Sequence, residues 1–165
     1  MAITLYGGAR SRASMPRWYM EEKGIAYQWQ QLDMEAGEHR QEPFLSINPF
    51  GKVPALVDTA PAGGGAPITM FESTAMLIYL ADKTGKFGGK TVAEKADVTK
   101  WLIFSIANTL PIFSIMREHK DLEPQGEKIL DVFETQLASN KFLAGDYSIA
   151  DMAPVTRLAA FVDHD

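Results

Sequence analysis

Glu72 and Ser73 stand where a short β-prone run, Ile68-Thr69-Met70-Phe71, gives way to a helical pattern. A helix start presents backbone N–H groups with no intrahelical acceptor, so such a junction suits a bound anion. The glutamate beside it would suit a cation. The plainer reading is that Glu72 or Ser73 simply caps the helix. Upstream, Val53-Pro54 precedes the apolar run Ala55-Leu56-Val57. Proline at a strand entrance gives up a backbone donor and is confined to edges or first positions. X-Pro bonds are also the ones for which cis costs little. A cis bond here would turn the N–H and C=O of Val53 outward, toward whatever binds beside it; the alternative is an ordinary turn. The corner would suit a ligand with a carboxylate for Ser73, an ammonium for Glu72 and a peptide group for the Val53 backbone, and with Glu72-Ser73 beside it a cis Val53–Pro54 bond is expected.

Competing chemistries find less support. Thr84-Gly85-Lys86-Phe87-Gly88-Gly89-Lys90-Thr91 nearly spells a phosphate loop, but its first glycine comes one position too late and the segment follows a helix instead of a strand. The histidines, His39, His119 and His164, are not spaced at i,i+3 or i,i+4 from one another, and the chain has no cysteine, so a transition-metal site has little to use and no metal is expected. No Gly-x-Ser-x-Gly elbow is present.

The elements that must position this corner follow from periodicity and punctuation. Ile3 to Tyr6 reads as a strand ending at Gly7-Gly8, and Ser14 to Lys23 as a helix stopped by Gly24. Tyr27 to Leu32 reads as a second strand, and Asp33 to Gln41 as a polar loop. Pro43 to Ile47 reads as a helical turn, Lys52 to Val57 leads into a third strand and Ile68 to Phe71 reads as a fourth. Between the last two, Asp58 to Pro67 is a glycine-rich surface loop. Glu72-Ser73-Thr74 opens a helix ending near Gly85. The order β-α-β, β-β-α gives a small mixed sheet with helices packed on it over residues 1–85. Residues 86–92 form a polar linker, and 93–165 are all-helical. Val92 to Arg117 reads as a long helix that Pro111 should kink or break, and Pro124 to Ser139 as another. Ser148 and Asp151 have the form of a capping box before a last helix ending near Val162, with Tyr147 and Met152 as its hydrophobic staple.

The totals limit the rest. In 165 residues, 46% are hydrophobic and 22% charged, ordinary for a soluble globular chain. A net charge of −5 argues against nucleic acid or an anionic membrane as the main partner. No run of 18 apolar residues is present and the N-terminus lacks a basic lead, so no membrane span or signal peptide is expected, and the location expected is cytoplasmic.

These residues resemble the glutathione S-transferase family over nearly the whole chain. The matching segments are Leu5-Tyr6-Gly7 and Glu21-Glu22-Lys23-Gly24-Ile25-Ala26-Tyr27, then Phe44 to Pro49 with Gly51 to Leu56. Phe71-Glu72-Ser73 with Ile78-Tyr79-Leu80, and Phe142 to Asp151, complete the match. The resemblance implies a thioredoxin-like N-terminal domain, an all-α C-terminal domain, a homodimer, and glutathione bound along the N-terminal domain. By the family pattern Val53, next to Pro54, pairs its backbone with the cysteinyl part, Glu72 and Ser73 hold the γ-glutamyl end, and Lys52 and His39 meet the glycyl carboxylate. Arg10, Arg12 and Arg17 are candidates for further anion contacts.

The activity implied is activation of the glutathione thiol and its addition to a small hydrophobic electrophile, as in detoxification. A free thiol titrates near pH 8.5, so a hydroxyl donor, cation or helix N-terminus near sulfur is needed to hold the thiolate at neutral pH. In the family that donor is a Tyr, Ser or Cys just after the first strand. With no Cys, the candidates are Ser11, Ser14 and Tyr6. Distance from Leu5-Tyr6 selects Ser11, counting back from Gly24 favours Ser14, and Tyr6 lies inside the strand. Arg10, beside Ser11, could supply a positive field.

Two departures from the family stand out. The loop from Asp58 to Pro67 is longer than the usual hairpin. The chain stops at His164-Asp165, where relatives usually carry further helices over the electrophile site; either the protein is compact or the sequence is incomplete, and a shorter C-terminal half would give a more open, less selective second site. Rival readings are glutathione-dependent peroxidase or isomerase action and a non-catalytic binding module. The lack of cysteine speaks against disulfide exchange through a protein thiol.

Overall fold

The computed structural model describes residues 2–162. It contains two compact units, Met1–Thr84 and Gly85–Asp165. The expectation placed on His164-Asp165 lies outside the described residues.

The first unit is built on four strands, β1 (Ile3–Gly7), β2 (Tyr27–Gln31), β3 (Ala55–Asp58) and β4 (Ile68–Phe71), in the order β2-β1-β3-β4. β1 and β2 are parallel; β1 with β3 and β3 with β4 are antiparallel. Helix α1 (Ser14–Lys23) makes the β1-to-β2 crossover, and α2 (Ser73–Thr84) follows β4. Alternation along β1 sends Ile3 and Leu5 into the core, where they are joined by Met15, Tyr19 and Met20 of α1 and Met76, Leu77 and Leu80 of α2. A smaller cluster of Leu32, Phe44 and Ala55 is flanked by Tyr6, Met34, Ile47 and Val53.

Local chemistry explains most boundaries. α1 ends at Gly24, whose φ of 62° is the left-handed cap a glycine adopts without a Cβ penalty. The third strand starts at Ala55, with the apolar run, and Lys52 to Pro54 lead into it as an irregular segment. The polar loop after β2 contains a 3₁₀ turn, Glu38–Arg40. The Val53–Pro54 bond is cis, as expected; Glu42–Pro43 is cis as well, which the sequence reading did not foresee.

Asp58 is fully buried at the end of β3 and accepts from Tyr79 at 2.7 Å and Lys83 at 2.5 Å, tying the sheet to α2. Burial pushes its carboxyl up, but hydrogen bonds from Lys83, Tyr79 and the Ala60 N–H, with the Lys83 charge, hold it below its ordinary value. The Tyr79 hydroxyl is pushed up by burial, by donating to Asp58 and by the charge there.

The second unit is helical: α3 (Val92–Phe104), α4 (Leu110–Ile115), α5 (Glu123–Leu137) and α6 (Ile149–Val162). A full capping box, Thr91 with Glu94, starts α3. Between α3 and α4 the backbone widens into a π turn, Ser105–Thr109. The irregularity expected at Pro111 is therefore taken up in the π turn immediately before it, and Pro111 sits at the start of α4. The run Val92–Ile115 has 24 residues and a mean hydropathy of 1.4 in its most apolar window, long and apolar enough to cross a bilayer. It passes on the average alone, since Ser, Thr and Asn interrupt it and no unbroken run of 18 apolar residues is present. Such a pattern also fits a core helix, and Val98, Trp101, Leu102, Leu110 and Phe113 are buried.

At the start of α6, Asp151 accepts from the Ser148 N–H at 3.0 Å, and the Ser148 hydroxyl accepts from Ala150 at 3.3 Å. The expected box thus forms, with the serine reaching the second helical N–H instead of the third. Tyr147 packs its ring on Phe87 and Phe142, at 5.1 and 5.3 Å between centroids.

Candidate glutathione site

The strand register gathers the candidate residues at one end of the sheet. Ala55 pairs with Tyr6 on one side and with Phe71 on the other. From that row β1 runs out through Gly7 toward Ser11, β3 is entered from Val53-Pro54, and β4 leaves into Glu72-Ser73. Gly7 pairs with Gln31, so the segment after β2, which carries Met34 and His39, leaves at the same end. Four chain segments far apart in sequence thus converge through sheet topology.

His39, Lys52 and Val53 line one open cavity of about 350 Å³, together with Met34, Arg40, Leu45, Phe50 and Gly51. His39 is 7% exposed and its Nδ1 has no hydrogen-bond partner. An unpaired buried nitrogen is costly unless something completes it. Arg40 and Lys52 bring two cations to the same cavity, so it has the charge to take a carboxylate. Lys52 Nζ lies 4.5 Å over the Phe50 ring. The sequence reading missed Arg40; its adjacency to His39 in a short helical turn is the signal that could have found it.

Asn48 organises the loop that carries Lys52 and Val53. It is 2% exposed; its Nδ2 donates to the Lys52 carbonyl at 2.6 Å and its Oδ1 accepts the Phe50 N–H at 3.1 Å. Gly51, at φ 62°, brings its Cα close to the His39 carbonyl, where a Cβ would stand 3.1 Å away. A side chain there would be strained by conformation and by space.

Glu72 has φ 72°, a left-handed conformation uncommon for a glutamate. Its carbonyl accepts the Met76 N–H and so opens α2. Ser73 is 2% exposed and its hydroxyl has no partner. The capping explanation for Ser73 therefore fails: the serine caps nothing, and an unsatisfied hydroxyl is left at a helix start beside a strained carboxylate-bearing residue. Strain and unpaired polar atoms kept together are characteristic of binding sites.

Ser11 is half-buried and its Oγ accepts two backbone N–H bonds, from Gly8 and from Ala13, each at 3.3 Å. Those two bonds fill both lone pairs, so the O–H is left to donate. Arg10 beside it has φ 56° and an exposed side chain. Ser14 opens α1, exposed, and does not cap it with its side chain. Tyr6 lies within β1 with its ring 5.8 Å from Phe44, a packing role. Met34 joins the serine turn to the cavity: a Cβ on Gly8 would meet Met34 Cγ at 2.5 Å, and Met34 lines the cavity.

Arg17 is not available for anion contacts of the kind expected. Its Nε donates to the Tyr27 hydroxyl at 3.0 Å, lies 3.9 Å from Glu21, and its guanidinium stacks 5.3 Å from the Trp29 ring centroid. Helical spacing from Ser14 places it on the face turned to β2, where these partners are. Among the described residues no group of three or more His, Cys, Asp or Glu could hold a metal ion.

The family model described as "Glutathione S-transferase, N-terminal domain" matches residues 1–82. Glutathione S-transferase F10 of Arabidopsis thaliana is 33% identical, over 93% of this chain and 78% of its own length. The disulfide-bond oxidoreductase YfcG of Escherichia coli (strain K12) is 32% identical, over 92% of this chain and 76% of its own. A solved glutathione transferase family member from Pseudomonas fluorescens pf-5, with two glutathione bound, superposes with a TM-score of 0.88 at 28% identity, covering 98% of this chain and 78% of that one.

Proposed function

Since the chain belongs to the glutathione S-transferase family, we propose that it binds glutathione at this end of the sheet and transfers its thiolate to small electrophiles. His39 and Lys52, with Arg40, take the glycyl carboxylate. The Val53 backbone pairs with the cysteinyl peptide group, and Glu72 and Ser73 hold the γ-glutamyl ammonium and carboxylate. Ser11 donates its hydroxyl hydrogen to the sulfur, and Arg10 adds positive potential. The thiol proton passes to solvent. The thiolate forms a C–S bond, and the electrophile's leaving group departs with its electron pair.

The observation that carries this reading is the Ser11 hydroxyl, with both lone pairs occupied by the Gly8 and Ala13 N–H groups. Each unit by which the thiol pKa is lowered corresponds to about 1.36 kcal/mol of preference for the thiolate. The test is a pH titration of bound glutathione by its ultraviolet thiolate absorbance. Ser11→Ala should raise the pKa of the bound thiol by about one to two units, the range of a charge-assisted hydrogen bond. No change in Ser11→Ala, with a rise in Ser14→Ala or Arg10→Ala, would displace Ser11.

A second reading is favoured by the similarity to a disulfide-bond oxidoreductase and to a structure holding two glutathione molecules. The argument that a chain without cysteine cannot serve disulfide exchange weakens if a second glutathione supplies the thiol. One glutathione thiolate would attack a substrate disulfide, and the second would attack the mixed disulfide, giving glutathione disulfide and a reduced dithiol. Turnover of 2-hydroxyethyl disulfide with no turnover of aryl halides would select this reading.

A further inference from the structure

The chain has 21 acidic residues against 16 Lys and Arg, yet the turn and helix start from Gly7 to Arg17 carry three arginines and no acid. Arg17 finds partners in Tyr27, Glu21 and Trp29. Arg10 and Arg12, which flank Ser11, do not: both are exposed, and among the described residues neither side chain has an ion pair or hydrogen bond. Several acids of the first unit are engaged elsewhere, while Glu72, exposed at the same end of the sheet, makes no ion pair with either arginine. Glu21 accepts from Tyr27, Asp33 from Glu35 and Ala36, Glu38 from Asp33, Glu42 from Ser46, and Asp58 from Lys83 and Tyr79. Arg10 also holds a left-handed backbone that costs a residue with a Cβ about 1 kcal/mol or more, and its side chain gains no partner in return. Two unpaired guanidiniums on the residues either side of Ser11 put positive charge on this turn of an acidic protein.

We propose that Arg10 and Arg12 make this site selective for electrophiles that carry a carboxylate. The inference rests on the reading of Ser11 as the thiol-activating residue, since it is the reacting sulfur that brings the electrophile to these side chains. A carboxylate on the electrophile supplies a counter-ion that, among the described residues, neither side chain has. Guanidinium suits this role because it stays charged and offers paired donors to a carboxylate.

The test is the ratio of affinities for S-(4-carboxybenzyl)glutathione and S-benzylglutathione, measured by calorimetry on the full chain. Binding needs no turnover, so its outcome is separate from that of the catalytic reading. The ratio should favour the carboxylate, fall about two- to fivefold in Arg12→Gln, the range an exposed ion pair supplies, and shrink in 1 M salt, where the Debye length is about 3 Å. Arg17→Gln, which removes an already partnered charge, should leave the ratio as it is. An equal fall in Arg17→Gln and Arg12→Gln would reduce the effect to net charge and overturn the proposal. A ratio unmoved by Arg12→Gln, with S-benzylglutathione still bound, overturns the proposal and leaves the glutathione site standing. Failure of both ligands to bind overturns the two together. The same contrast in kcat/KM between 4-chloro-3,5-dinitrobenzoate and 1-chloro-2,4-dinitrobenzene, each relative to its uncatalysed rate, carries it to the reaction.

Discussion

Asn48 donates its side-chain amide to the Lys52 carbonyl at 2.6 Å, from a position 2% exposed. Its oxygen accepts the Phe50 N–H, and its own backbone carbonyl takes the Gly51 N–H at 2.9 Å. One buried amide thus fixes the residues that lead into Val53. Asn48→Ala would leave the Lys52 carbonyl and the Phe50 N–H without these partners, at a cost of about 1–3 kcal/mol for an unsatisfied buried group. The expected result is a lower urea midpoint and a raised KM for glutathione. An unchanged KM would separate the loop's order from its role in binding.

Ser73→Ala separates a capping serine from a binding one. Losing a serine cap costs about 1 kcal/mol. Here the hydroxyl is buried without a partner, so its removal should leave the stability of the ligand-free protein unchanged or raise it by up to about 1–3 kcal/mol, the cost of an unsatisfied buried group. Glutathione affinity should fall, because the γ-glutamyl carboxylate loses a donor. Urea unfolding with and without glutathione reads both quantities. A large loss of stability in the ligand-free protein would return Ser73 to a structural role.

Much of this site was legible in the sequence, and the limits have physical causes. The bounds of α1, Ser14–Lys23, were readable because a terminating glycine is a local signal. Val53-Pro54 and Glu72-Ser73 were readable as a pair because each marks the end of a strand, and the register brings both ends to Ala55. Arg17 was misjudged because its partners Tyr27 and Trp29 belong to the next strand, which no local pattern reports. Met34 was passed over as one of eight methionines, since its place against Gly8 is a tertiary contact. The positive φ of Glu72 was invisible for the opposite reason, because propensity argues against it and only the surrounding sheet and helix impose it.

The buried Asp58 sets an acid limit on the first unit. Its folded-state carboxyl is held below its ordinary value. Its contribution is therefore complete above the unfolded carboxyl pKa of about 3.9 and is lost as pH falls from there through the folded value. Urea midpoints should show no Asp58 contribution to slope between pH 7 and 5, and should decline below about pH 4. Lys83→Met should destabilise at neutral pH toward the lower end of the roughly 3–5 kcal/mol typical of a broken buried pair. The reason for the lower end is that Lys83 is 19% exposed and that Tyr79 and the Ala60 N–H still serve the carboxylate. It should also flatten the decline in acid, because a less depressed carboxyl releases less stability on protonation. An acid profile identical to the parent's would remove Lys83 as the cause.

Gly8 and Met34 give a test of the link between the serine turn and the cavity. A Cβ at Gly8 would stand 2.5 Å from Met34 Cγ and 2.8 Å from its sulfur, so Gly8→Ala must displace Met34. The thioether is flexible and yields without large backbone change, but its side chain lines the cavity of His39, Lys52 and Val53. Gly8→Ala should therefore raise KM for glutathione several-fold while lowering stability by about 1–3 kcal/mol, the usual cost of overpacking. Met34→Ala in the same chain opens the space again and should recover much of the affinity. The coupling read from the double-mutant cycle should be large, since contacting residues are typically coupled by about 0.5–3 kcal/mol. Additive effects would mean that the Ser11 turn and the cavity do not communicate through this methionine.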